Sequence, residues 1–234
     1  MRAVLFDLDG TLMDHDAARV AGLSAHVAAL LPGLPAAELT RLDAEWRRLE
    51  ALHYDEYAAG RISFQEQRRR RVRGLHAALD RALPSDPEAD AWFAAYLNHY
   101  RGAWRAFDDV LPALAALAQA FPDAALGIVT NGEGEPQRAK LAAIGVADRF
   151  PLVVASAEAG VAKPAAEIFA LACERLGTEP HEAAHVGDRL DLDAHGAAAA
   201  GLRGIWLDRQ RSGDAASGVT TIATLHELPA ALAA

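Results

Sequence analysis

The sequence predicts a doubly wound α/β core, a Rossmann-like parallel sheet between helices, with a helical bundle inserted into it. Three observations predict this. Five short apolar runs read as strands: Ala3–Asp7, Leu126–Thr130, Leu152–Ala155, Ala183–Gly187 and Gly204–Leu207. None alternates cleanly between polar and apolar, as expected of parallel strands covered on both faces. Helical stretches separate the last four runs. More than 110 residues separate the first run from the second, and most of them read as helix alone.

The elements follow in order. After the first strand, Val20, Leu23, Val27 and Leu30 form one apolar stripe, and Leu39, Leu42, Trp46 and Leu49 a second. Val72, Leu75 and Leu79 form a third stripe, and Trp92, Phe93, Tyr96 and Tyr100 a fourth, all at helical spacing. Pro32-Gly33, Gly60 and Pro84 to Pro87 punctuate them. The spacing therefore predicts a four-helix cap over 14–100, with the core made of 1–13 and 101–234. Hinges are expected near Leu12–Asp16 and Tyr100–Ala106, where the chain enters and leaves the insert. Leu111, Leu114 and Leu117 predict a helix before the second strand. Pro136–Ile144 stops at Gly145, and Pro164–Leu176 starts on proline and stops at Gly177. Asp193–Ala200 predicts the last helix, stopping at Gly201.

Composition narrows the function. The 234 residues carry a net charge of −9, which argues against a nucleic-acid polymer as partner. The single cysteine, Cys173, lies among apolar residues and predicts an inert core thiol. No apolar run is long enough for a membrane span, so a cytoplasmic location without membrane contact is expected. The chain uses 55 alanines, 21 arginines and only 2 lysines, Lys140 and Lys163.

In open α/β sheets, ligands sit beyond the carboxyl ends of the strands. There the sequence places Asp7-Leu8-Asp9-Gly10-Thr11, then Thr130-Asn131, Lys163-Pro164, and Gly187-Asp188 with Asp191 and Asp193 behind. Carboxylates gathered in one place repel, and a hard divalent cation such as Mg²⁺ relieves that repulsion. A metal, a lysine and a hydroxyl together cradle phosphate. One carboxylate can then attack phosphorus, and a second, two residues on and on the same side of the strand, can exchange the proton.

These residues resemble the motifs of the haloacid dehalogenase superfamily of phosphohydrolases. Phe6-Asp7-Leu8-Asp9-Gly10-Thr11-Leu12 is similar to its first motif and Ile128-Val129-Thr130-Asn131-Gly132 to its second. Lys163-Pro164 is similar to its third, and Gly187-Asp188 followed by Asp193 to its fourth. The helical insert directly after the first motif fits the subclass capped at that point. The resemblance implies that Asp7 is the nucleophile and that Asp9 is the general acid/base, with its backbone carbonyl on Mg²⁺. It implies that Thr130, Asn131 and Lys163 bind the phosphoryl group, that Asp188 completes the metal site with Asp7, and that Asp193 supports Lys163 or a metal-bound water. Asp191 falls off the family spacing. Dehalogenases of the superfamily lack the second acid of the first motif, so Asp9 favours phosphate chemistry. Gln137, Lys140-Leu141 and SAEAGVAKP are similar to the pyrimidine 5'-nucleotidase and N-acylneuraminate-9-phosphatase branch.

The expected activity is therefore Mg²⁺-dependent hydrolysis of a small phosphomonoester, a nucleotide or sugar phosphate, by a monomer or homodimer. A phosphomutase of the same superfamily and a non-catalytic phospho-ligand sensor are the competing readings. Lys140, in mid-helix, is expected at the surface. Arg68 to Arg71 with Arg73 are expected on a solvated helix face. His15 is expected to be incidental, and His185 and His195 are not expected to bind metal.

Overall fold

The computed structural model describes residues 1–212 and 218–234. The chain divides into two compact units, Met1–His15 with Trp104–Ala234, and Asp16–Ala103.

In chain order the elements are β1 (Ala3–Phe6), α1 (His15–Leu30), α2 (Ala36–Ala58), α3 (Phe64–Ala78), α4 (Asp86–Gly102) and α5 (Val110–Ala120). Then come β2 (Ala125–Thr130), α6 (Gly134–Ala143), β3 (Leu152–Ala155), α7 (Ser156–Ala159) and α8 (Ala166–Leu176). The chain closes with β4 (Ala183–Gly187), α9 (Gly196–Ala199), β5 (Arg203–Leu207), β6 (Thr220–Ile222) and α10 (Leu228–Ala233).

Among the described residues, six strands run parallel in the order β3-β2-β1-β4-β5-β6. The sequence predicts five of them. β6 is missing from that prediction because its three residues, Thr-Thr-Ile, are too short and polar to read as a buried run. Among the described residues it holds the sheet edge, paired to β5. β1 is hydrogen-bonded to β2 on one side and to β4 on the other, so the chain reverses its direction of travel across the sheet at β1. Such a switch point opens a crevice beyond the strand ends. The residues just past β1 and β4 are Asp7 and Asp188.

Core packing explains the apolar runs. Ala3, Leu5, Val129, Val154, Ile168, Phe169, Ala172, Cys173 and Ala183 form one buried cluster. In α5 the buried stripe is Val110, Ala113, Leu114 and Leu117, while Leu111 faces solvent, contrary to the expected register. The last predicted helix begins early. Leu190–His195 form a π-helical turn that runs into α9. The wider turn carries Asp193, which is 1% exposed, back toward the sheet. Close approach there needs glycine, since a methyl group on Gly204 would land on the Ala194 carbonyl.

The second unit holds α1 to α4 apart from His15. Leu23, Val27, Leu42, Trp46, Leu49, Val72, Leu75, Phe93, Tyr96 and Tyr100 are buried, but Val20 and Leu30 of the expected first stripe are exposed. The arginine run is not a solvated face. Arg71 is buried, pairs with Glu50 at 2.8 Å and lies 4.4 Å from the Trp46 ring centre. Arg69 grips Asp90 and Asp86, Arg70 meets Glu56 and Glu66, and Arg73 meets Asp86. The run braces the helices of this unit against one another.

His26 packs edge-on to Trp92 at 4.4 Å, and among the described residues its Nε2 has no hydrogen-bond partner. Burial, then the charge of His99, lowers its pKa to about 4 from 6.5. An unfolded chain takes up a proton below pH 6.5 that the folded one refuses, so stability is full above pH 6.5 and falls as pH drops toward 4. His26→Leu is expected to flatten that fall. Thermal melts of both proteins across pH 4–7 check it, and parallel profiles would refute it.

Candidate active site

β1 delivers Asp7 to the switch point. The Asp7 N–H still donates to the Val186 carbonyl at 2.9 Å, so the residue is positioned by the sheet itself. The chain then turns tightly, with Leu12 and Met13 N–H both donating to the Leu8 carbonyl at 2.9 Å. Gly10 sits at φ +87°, and a methyl group there would lie 2.5 Å from Asp188 Oδ2, so only glycine fits this turn. Thr11 ties the two strand ends together. Its Oγ1 accepts from the Asp188 N–H at 3.0 Å and lies 3.3 Å from Asp7 Oδ2 and 3.5 Å from Asp188 Oδ1.

Lys163 reaches in from the loop before α8 and is 5% exposed. Its Nζ donates to Asp7 Oδ1 and Asp193 Oδ1, both at 2.6 Å. Asp193 is fully committed. Oδ1 also meets His185 Nε2 at 3.1 Å, and Oδ2 accepts the Arg189 N–H at 3.0 Å. Asn131 anchors the lysine loop through both ends of its amide, giving to the Lys163 carbonyl at 3.0 Å and accepting its N–H at 2.8 Å. Both ends of the Asn131 amide thus tie the end of β2 to the lysine loop.

Thr130 ends β2 and is 1% exposed. Its Oγ1 accepts from Gln137 Nε2 at 2.6 Å, and the same Nε2 donates to Asp9 Oδ2 at 3.0 Å. Lys140 Nζ donates to Asp9 Oδ1 at 2.8 Å and Oδ2 at 2.6 Å. Lys140 is 9% exposed, so the expected surface lysine is a buried partner of Asp9. His15, expected to be incidental, lies 3.8 Å from Asp9 Oδ1. Asp191 is exposed and pairs with Arg189.

The electrostatics divide the carboxylates. Asp7 is pushed up to about 8 by burial and by the charges of Asp193 and Asp188, against the pull of Lys163. Asp188 rises to about 6 through burial and the charge of Asp193. Burial opposes ionisation of Asp193, but Lys163 and His185 hold it well below the usual carboxylate range. Burial also opposes ionisation of Asp9, and Lys140 followed by His15 outweighs it and lowers the pKa. Burial alone would lower Lys163, whereas Asp193 and Asp7 raise it.

Among the described residues, Asp7, Asp188 and Asp193 place carboxylate oxygens within 4.8 Å of one another. Asp193 already carries a lysine, a histidine and a backbone donor. Among the described residues, Thr11 Oγ1 lies 3.3 Å from Asp7 Oδ2 and 3.5 Å from Asp188 Oδ1, and burial with the charges of neighbouring acids holds both groups against ionisation. An all-oxygen pair of this kind fits a small hard cation such as Mg²⁺.

A second layer supports the site. Arg209 donates to Asp109 at 2.9 and 3.0 Å and to the Thr11 carbonyl at 2.8 Å, with Phe107 3.8 Å beneath it. Trp206 Nε1 donates to the Asp188 carbonyl at 3.0 Å. Sequence reasoning misses Gln137, Lys140, His185, Trp206 and Arg209 as parts of this assembly. The one available signal is that Gln137 and Lys140 share a helix face immediately after β2.

Residues 1–201 match the model of the haloacid dehalogenase-like hydrolases. The chain belongs to this family. It is 32% identical over 232 residues to a phosphoserine phosphatase of Thermus thermophilus, covering 89% of each chain. It is 29% identical to human N-acylneuraminate-9-phosphatase, covering 89% of this chain and 83% of that one, in keeping with the branch that the loop after β2 resembles. Among solved structures, the magnesium-bound HAD-hydrolase YfnB of Bacillus subtilis shares the fold with a TM-score of 0.79 at 22% identity, over 97% of this chain and 96% of that one. A 2-haloacid dehalogenase of Pseudomonas syringae pv. Tomato aligns with a TM-score of 0.68 at 29% identity, over 100% and 98%. Among the described residues of this hydrolase, no helix is long and apolar enough to cross a membrane.

Proposed function

We propose that this hydrolase is a Mg²⁺-dependent phosphatase of small phosphomonoesters, nucleotides or sugar phosphates, working through an aspartyl-phosphate on Asp7. The observation that carries the reading is the pair of acids at the end of β1 in contrasting surroundings. Asp7 stands beside Lys163 and Asp188, and Asp9 is held apart from them by Lys140 and Gln137. An acid facing a lysine and a second carboxyl suits a nucleophile where phosphate and a cation would bind, and an acid two residues on, outside that cluster, suits the proton carrier. The Asp9 side chain also favours phosphatase over dehalogenase chemistry. Two named phosphatases among the relatives support the same reading.

In the first half-reaction an Asp7 oxygen bonds to phosphorus while the bond from phosphorus to the alcohol oxygen breaks, and Asp9 gives that oxygen a proton. In the second, Asp9 takes a proton from water as the water oxygen bonds to phosphorus and the bond to Asp7 breaks. Lys163 and Thr130 hold the phosphoryl oxygens, Asn131 fixes the lysine loop, and Asp193 keeps the lysine charged and aimed. Asp7, Asp188 and the Asp9 carbonyl would hold Mg²⁺, which would neutralise phosphate charge and the repulsion among the acids.

The test is phosphate release from a panel of nucleotides and sugar phosphates with Mg²⁺, using Asp7→Asn as control. Release by the wild type alone supports the proposal. No release from any substrate, isomerisation without free phosphate, or a long-lived phosphoenzyme without turnover overturns it.

A further inference from the structure

Two residues outside the motifs lean on the proposed proton carrier. α6 begins four residues after Thr130 and turns Gln137 and Lys140, one helical turn apart, toward Asp9. Lys140 spans both carboxylate oxygens at 2.8 and 2.6 Å, and Gln137 takes Oδ2 at 3.0 Å. The Gln137 amide also donates to Thr130 Oγ1 at 2.6 Å. One short helix thus fixes the separation between a phosphate-binding hydroxyl and a carboxyl carried by another strand. An aspartate left alone would sample several rotamers. A lysine that is 9% exposed gives up hydration it would keep at the surface, so its carboxylate partner is a defined destination.

We infer that Lys140, braced by Gln137, is a positioning residue for proton transfer, holding the Asp9 carboxyl where it meets the departing oxygen. The inference rests on Asp9 being the acid/base of the proposed reaction. Its signature is chemical. A displaced Asp9 harms substrates whose leaving oxygen is basic and needs the proton, and spares those whose leaving group departs as a stable anion. A lysine that merely stabilised the fold or the phosphate would affect all substrates alike.

The experiment compares kcat/KM for 2,4-dinitrophenyl, 4-nitrophenyl and phenyl phosphate with Mg²⁺ in the wild type, Lys140→Met, Lys140→Arg and Gln137→Leu. This parameter includes the step that expels the phenol. Lys140→Met is expected to lose about 10²-fold or more on phenyl phosphate and far less on the dinitrophenyl ester. Lys140→Arg should recover part of the loss, and Gln137→Leu should follow the same trend more weakly. An equal loss across the series, or none, overturns the inference. Crystal structures of Lys140→Met and Gln137→Leu give a second readout. Asp9 should shift while Asp7, Lys163 and Asp193 keep their contacts, and an unmoved Asp9 refutes the positioning role. If the wild type cleaves none of the esters, the panel of nucleotides and sugar phosphates still decides the phosphatase reading, and the crystal structures alone decide whether Lys140 positions Asp9.

Discussion

Asp7→Asn is expected to lower turnover by about 10⁴-fold or more while leaving the metal-free protein as stable as the wild type. The activity loss follows from removing the proposed nucleophile. The stability result follows from the electrostatics. Asp7 is pushed up to about 8 by burial and by Asp193 and Asp188, so the folded chain gains little from ionising it. Asparagine has the same shape, removes the like-charge contact, and leaves Lys163 paired with Asp193 at 2.6 Å. The change in unfolding free energy should stay within about 1 kcal/mol. Mg²⁺ should separate the two proteins. At a hundredfold excess over its Kd, a ligand specific to the folded state adds about 2.7 kcal/mol, and the asparagine variant should gain less. Parallel thermal melts with and without Mg²⁺, beside phosphate-release assays, test all three statements. Full turnover by Asp7→Asn, or equal Mg²⁺ stabilisation, would count against the assignment.

Lys163→Met should do the reverse and unfold the protein easily. The ammonium is 5% exposed and lies between two carboxylates that are themselves buried. Removing it strands Asp193, whose ionised form depends first on Lys163, next to Asp7 and Asp188. Breaking a buried ion pair from one side costs about 3–5 kcal/mol. At about 2–4 °C per kcal/mol for a chain of this size, the melting point should fall by about 6–20 °C. Adding Asp193→Asn should restore part of the loss, because the stranded charge goes with it. The double-mutant cycle gives the coupling directly. Losses that simply add would mean that the two residues act independently.

Much of this architecture is readable without coordinates because it is written in local patterns. A strand buried on both faces has a continuous apolar run, and the acids that end it stand out against that run, as Asp7 does after Ala3–Phe6. The helix-only stretch after β1 is readable because four stripes at helical spacing leave no strand between them. What escapes is what depends on distance along the chain. Lys140 is 131 residues from Asp9, and in sequence it is one charge in the middle of a short helix. Only the parallel pairing of β1 with β2 brings the helix after Thr130 over the loop after Asp7. The arginine run misleads for the same reason, since its carboxylate partners lie on α2 and α4 as well as on its own helix. β6 escapes because three residues at a sheet edge bury too little to leave a pattern. Arg209 escapes because a single arginine past a strand gives no hint that it holds the Thr11 carbonyl.

The burial of both lysines has a practical consequence. With 21 arginines and two lysines, the folded chain presents lysine-directed reagents with almost no accessible side-chain amine. Acylation of Lys163 or cleavage by a lysine-specific protease needs the end of the sheet to open first. The rate of either reaction therefore reports how often that region opens, resolved to two named positions and requiring no added probe.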